Sequence, residues 1–214
     1  MRRSLGFGIL GVLVASIVLL VGAQPALAGV PTDQLKGATD HVLTLLQDPE
    51  LKKPGKADER RKQIRTVANE IFDWQETGKR ALGRHWQSCA KERNEFSPLF
   101  ADLIERSYIS KIESYSGEKI LYLGDVIDGD QATVRTKLVT KSNTEIPIDY
   151  RMQKEGDRWR VYDVVIEGVS LVGNYRTQFN RIIQQSGCAE LVKKLKTKQE
   201  ELVFEDAEKA KAKP

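Results

Sequence analysis

Hydrophobic positions change their period near the middle of the chain. From Thr32 to Gln47, Leu35, Ala38, Val42, Leu45 and Leu46 recur at the spacing of one helix face, and Asp48-Pro49 stops the run. A polar linker from Lys52 to Asp58 follows, holding Pro54 and Gly55. A second helix carries Ile64, Val67, Ala68, Ile71 and Phe72 on one side. Asp73 reads as the N-cap of a short third helix ending at Gly83. Ser88 reads as the cap of a long fourth helix bearing Phe96, Leu99, Phe100, Leu103, Ile104, Tyr108 and Ile112.

After Ser116-Gly117 the period becomes that of strands. Runs over Lys119–Ile127, Ala132–Thr140, Glu145–Lys154 and Arg158–Ile166 are separated by Asp128-Gly129, Ser142-Asn143 and Gly156-Asp157. Alternation is clearest at Ala132, Val134, Thr136 and Leu138, and at Ile146, Ile148, Tyr150 and Met152. Turns this short force an antiparallel meander. Gly168 ends the sheet, and Ser170 can cap a helix with Leu171, Val172, Tyr175, Phe179, Ile182 and Ile183. Gly187 closes that helix, and a last one begins near Cys188 with Leu191, Leu195 and Leu202. The predicted class is therefore α+β: helices wrapped around a curved four-stranded antiparallel sheet, a cone-like arrangement, with further helices at either end. Such a cone offers apolar space between sheet and helices.

The first residues alter the picture of where the chain works. Arg2-Arg3, an uncharged apolar run from Leu5 to Ala23, and Ala26-Leu27-Ala28 have the layout of an export signal cleaved after Ala28. The run is also long enough for a retained membrane anchor, but Pro25 and the Ala-Leu-Ala end favour cleavage. The expected division is a signal at 1–28, one domain at 29–204 and a charged, frayed tail at 205–214. Losing Arg2 and Arg3 lowers the net charge from +4 to +2, and the remaining charges are interspersed. That excludes nucleic acid as the main partner, since it calls for a concentrated basic face. Outside the cytoplasm the two cysteines, Cys89 and Cys188, are candidates for a disulfide; two separate buried thiols are the alternative.

Catalytic chemistry finds little support. His41 and His85 have no second ligand at metal-binding spacing, and neither a phosphate loop after a strand nor a Gly-x-Ser-x-Gly elbow occurs. Asp163 is the one candidate. Strict alternation puts it mid-strand beside Trp159, Val161 and Val165, and a carboxylate in an apolar pocket can serve as a base, as in cone-shaped isomerases or hydrolase-like enzymes. No acid or oxyanion partner is apparent. A buried Asp held by Arg or backbone N–H groups is the commoner arrangement. The chain is read as a non-enzyme, with no cofactor and no metal.

The segment Trp159-Arg-Val-Tyr-Asp-Val-Val-Ile-Glu-Gly-Val-Ser-Leu-Val-Gly-Asn-Tyr-Arg-Thr-Gln-Phe179 closely resembles the signature of the MlaC family, also called toluene-tolerance proteins or ABC-transporter auxiliary components. Further likeness lies in Phe72-Asp73, in Ala81-Leu82-Gly83-Arg84-His85-Trp86, in Glu92-Arg93-Asn94-Glu95-Phe96 and in Pro147-Ile148-Asp149-Tyr150-Arg151. It covers nearly all of the chain after residue 28. The two cysteines and the charged tail stand outside the family pattern.

The resemblance implies a monomeric periplasmic phospholipid carrier. Its implied partners are an inner-membrane ABC transporter complex, with its lipid-binding substrate subunit, and an outer-membrane lipoprotein–porin complex; the implied role is outer-membrane lipid asymmetry. On this reading the candidate lipid-binding side chains are Tyr122, Ile148, Tyr150, Val164 and Ile166 on the sheet, Val169, Leu171 and Tyr175 just after it, and Phe72, Phe100 and Tyr108 on the helices. Plain core packing accounts for any single one of them equally well. Arg176 and Arg181 lie on the helix after the turn, where a phosphate or a solvated face are both open.

Overall fold

The computed structural model describes residues 30–211, and side chains as far as 199. The signal expected at 1–28 lies outside the described residues. Helices α1 (Val30–Gln47), α2 (Ala57–Ile71), α3 (Trp74–Leu82) and α4 (Arg93–Glu113) precede five strands: β1 (Lys119–Asp128), β2 (Gln131–Val139), β3 (Glu145–Glu155), β4 (Arg158–Ile166) and β5 (Val169–Ser170). Helix α5 (Leu171–Lys211) closes the chain and is broken at Gly187, where φ is 83° and ψ 174°. Its backbone stays helical into the segment expected to fray.

The sheet is an antiparallel meander in the order β1-β2-β3-β4-β5. It has five strands, not the four that alternation predicts. The extra strand is two residues long, too short to carry a period. It exists because Glu167 and Gly168 both take positive φ, 50° and 81°, as a two-residue type I′ hairpin turn requires, so Val169 folds back beside Ile166.

Most helix boundaries follow local chemistry. Asp73 caps α3 by accepting from the Glu76 N–H at 2.8 Å. Gly78 lets α3 and α4 approach closely, since a Cβ there would lie 2.8 Å from Ser97 Oγ. Ser88, by contrast, does not cap α4. That helix starts five residues later at Arg93, and the Ser88 hydroxyl donates instead to the His85 carbonyl, 3.0 Å away. The intervening turns bring Cys89 to Cys188, which are disulfide-bonded with Cα atoms 5.5 Å apart.

Three apolar clusters form the core. Phe96, Phe100, Phe179, Val172 and Leu191 join α3, α4 and α5. Leu35, Val134, Met152, Trp159 and Val161 join α1 to the sheet. Leu45, Leu46, Ile64, Val67 and Ile109 fasten α1 and α2 to the far end of α4. Glu113 ties that end to α2: burial acts to raise its pKa, but hydrogen bonds from Arg61 and Arg60 outweigh this and hold the carboxyl below its ordinary range.

Candidate functional site

Cross-strand pairing sets which side chains share a face of the sheet. Tyr122 pairs with Thr136, Thr136 with Ile148, Ile148 with Ile166 and Ile166 with Val169, so one row crosses all five strands. The adjacent row runs Asp125, Val134, Tyr150 and Val164. All six sheet-side candidates, with Val169 at the rim, therefore lie on one face. Ile120, Leu138 and Ile146 extend it. These three were not singled out from sequence, although the alternation along β2 and β3 contains the last two.

The face divides into a sealed part and an open part. Ala132, Val134, Met152 and Val161 are buried beneath α1 and the end of α2. Ile120, Tyr122, Leu138, Ile146, Ile148, Tyr150, Val164 and Ile166 are each only half-buried. Tyr150 is the informative member. Burial pushes its phenol up to about 12, with nearby Tyr122 adding to the shift, yet the side chain keeps accessible surface. Burial also raises Tyr122. Thr136, a hydroxyl on this apolar face, is satisfied by donating to the Ile148 carbonyl at 2.8 Å.

The helix-side candidates form a second group. Phe100 and Tyr175 meet edge to face with ring centroids 5.1 Å apart. Burial, and then proximity to Tyr175, raise the Tyr108 phenol. Tyr108, Leu171 and Tyr175 are half-buried against the α4–α5 core. Phe100, only 1% exposed, packs inside that core. Phe72 stacks on Trp74, 4.7 Å between centroids, and bridges to β4 at Val161. Phe72 thus packs in the same cluster as Tyr122, Tyr150 and Val164, whereas Phe100, Tyr108, Leu171 and Tyr175 belong to another, reached along the chain where Val169 leads into Leu171.

Asp163 is not on the face that strict alternation assigns. Arg151 pairs with Asp163 but Met152 pairs with Val161, so Tyr162 is an extra residue in β4. Trp159 and Val161 stay with Tyr150 and Val164, while Asp163 and Val165 face the other way. There Asp163, 4% exposed, accepts from Ser170 Oγ at 2.6 Å, the Val172 N–H at 3.0 Å and Arg151 Nη1 at 3.1 Å. Ser170 also accepts from the Gly173 N–H at 2.9 Å, capping α5 as its position predicts. The carboxylate is fully engaged at a helix N-terminus, a structural arrangement and not that of a free base.

Of the remaining polar candidates, His41 and Arg181 are exposed, while His85 and Arg176 are engaged in structural contacts. His85 Nε2 lies 2.9 Å from Asn180 Oδ1, which also accepts from Arg84. Arg176 donates to the Arg80 carbonyl at 2.6 Å. Among the described residues no group of three His, Cys, Asp or Glu side chains is placed to hold a metal, and no helix is long and apolar enough to cross a membrane.

Comparison with known proteins fits this architecture. Residues 36–197 match the family described as MlaC protein. The intermembrane phospholipid transport system binding protein MlaC of Haemophilus influenzae is 27% identical over 124 residues, 55% of this chain and 58% of that protein. The chain thus aligns with little more than half of that relative's length. Toluene tolerance protein ttg2D of Pseudomonas putida is 21% identical over 183 residues, 84% of this chain and 83% of the other. A solved phospholipid-binding protein from Ralstonia solanacearum, in complex with a phospholipid, superposes with a TM-score of 0.72 at 24% identity, covering 82% of this chain and 99% of that one. The chain belongs to the MlaC family.

Proposed function

We propose that the protein is a phospholipid carrier of the periplasm. It buries acyl chains between the half-exposed face of the sheet and the start of α5, and leaves the headgroup in water. The observation that carries this reading is the continuous apolar face of the sheet on which Tyr122, Ile148, Tyr150, Val164 and Ile166 lie together in register and only half-buried. Each methylene left in water costs about 0.8 kcal/mol, so two acyl chains with about 30 of them cost on the order of 20 kcal/mol gross. A lipid therefore needs an apolar container to cross water, and the container needs no catalytic group. Family membership and the phospholipid binding of the relatives support the same ligand class.

On this reading the lining is Tyr122, Ile148, Tyr150, Val164, Ile166 and Val169 on one wall. Leu171, Tyr175 and Tyr108 form the other, with Phe72 and Phe100 supporting from behind. The chain is cleaved after Ala28 and works between an inner-membrane ABC transporter complex and an outer-membrane lipoprotein–porin complex, maintaining outer-membrane lipid asymmetry. Native mass spectrometry of the mature protein, followed by lipid extraction, tests the carrier role. A bound species of phospholipid mass, released on denaturation, is expected. A protein that stays empty after incubation with phospholipid vesicles would overturn it.

A further inference from the structure

A polar group enclosed beside apolar side chains is costly unless it is hydrogen-bonded. The two rows that cross the half-exposed face of the sheet hold Thr136, Asp125, Tyr122 and Tyr150 as their polar side chains. The first two are spent. Thr136 donates to the Ile148 carbonyl at 2.8 Å, and Asp125 accepts from the Thr32 hydroxyl and N–H at 2.6 and 3.0 Å. The phenols are not. The Tyr122 hydroxyl is buried without a hydrogen-bond partner. Thr39 of α1 stands near it, outside hydrogen-bond geometry, and donates its own proton to the Leu35 carbonyl at 2.9 Å. The Tyr150 phenol makes no hydrogen bond among the described residues either; burial and the neighbouring Tyr122 are what act on it. Two adjacent donors on an otherwise apolar face therefore lack an acceptor within the protein.

A hydrocarbon tail offers them nothing. The first acceptors above the tails of a diacyl lipid are its two ester carbonyls. We infer, resting on the carrier reading, that Tyr122 and Tyr150 donate to the ester carbonyls of the bound glycerophospholipid and so set the depth at which it sits. The Tyr122 ring is half-buried, so a swing of its side chain toward the open part of the face brings the hydroxyl to a ligand. The geometry of the row suits this placement. Tyr122 stands at its β1 end and Val169 at its β5 end. The four inter-strand spacings between them span about 19 Å. One leaflet of a bilayer's hydrocarbon core is about 15 Å deep, so a tail that starts at the phenols fits along the row. The headgroup is then left at α1, where the exposed ion pair of Lys36 and Asp40 lies close enough to Tyr122 to act on it.

Competition between ester and ether lipids tests this. Mature protein is incubated with vesicles holding equal amounts of diacyl and dialkyl-ether phosphatidylcholine of matched chain length, and native mass spectrometry reads the ratio bound. Both lipids carry the phosphate, so the ratio separates the ester carbonyls from phosphate oxygens as the acceptors. The wild-type protein should favour the diacyl lipid about tenfold. Tyr122→Phe and Tyr150→Phe should each reduce that preference, and the double variant should abolish it. Tyr122→Phe should also unfold at higher urea than the parent when free of lipid, because it removes an unsatisfied hydroxyl and breaks no bond. A loaded wild-type protein without preference overturns the inference and leaves the carrier role standing, as does a preference that survives in the double variant. A lower unfolding midpoint for Tyr122→Phe overturns it too, by showing that the hydroxyl has a partner inside the protein. A protein that takes up neither lipid overturns the carrier reading itself, and this inference with it.

Discussion

Removing the Asp163 carboxylate leaves the Val172 N–H, the Ser170 hydroxyl and the Arg151 guanidinium without their acceptor. Arg151 is 46% exposed and water can replace its share, so the loss falls mainly on the helix N-terminus. Asp163→Ala should therefore destabilise by about 2–3 kcal/mol in urea unfolding. Asp163→Asn, which keeps one acceptor, should cost less and leave bound lipid unchanged. Tyr150 makes a prediction about pH. Its phenol titrates near 12 in the folded chain against 10.0 in an exposed one, so its contribution to stability is whole below pH 10 and is lost as pH climbs toward 12. Replacing it with Phe removes that titration, and the alkaline unfolding midpoint, followed by circular dichroism, should move to higher pH.

At the scale of elements, the disulfide bridges the turns before α4 to the start of the second half of α5, closing a loop across 99 positions. Chain entropy assigns about 4–5 kcal/mol to such a loop, and measured values commonly run about 2–4. Cys89→Ser with Cys188→Ser should lower the unfolding free energy within that range, and reductant should do the same to the wild-type protein. An unchanged denaturation midpoint would show the bridge to be superfluous. The meander was legible from alternation and turn residues, because period and punctuation are local. The start of α4 was not: Ser88 has a cap's chemistry, but the turns that bring Cys89 to its distant partner override it. The fifth strand escaped notice because a pair of residues has no period, although Glu167-Gly168 carries the turn chemistry that creates it.

For the molecule as a whole, the candidate lining was half legible. A strand's alternation lays every second side chain on one face, so the sheet-side candidates fall together in register. Helix faces give no such guide. Phe100 and Tyr108 share one apolar stripe of α4, yet the first is sealed among aromatics while the second keeps exposed surface. Only tertiary packing separates them. Val169 tests the assembled site, because it ends the row that crosses all five strands and is itself 63% exposed. Val169→Asp should cost little stability, since the new carboxylate stays in water, but should empty the protein of lipid in native mass spectrometry. Lipid that still co-purifies would remove Val169 from the lining.

The extra residue in β4 works like a slipped tooth on a gear. Upstream of Tyr162 the strand turns Trp159 and Val161 toward the apolar wall, and downstream it does the same for Val164 with Asp163 held on the far side. Were Tyr162 paired regularly instead of bulged, the strand would alternate strictly from end to end. Either Trp159 and Val161 would then be expelled from the core, or the Asp163 carboxylate would rotate into the apolar wall. One bulged position thus keeps a carboxylate off an apolar face.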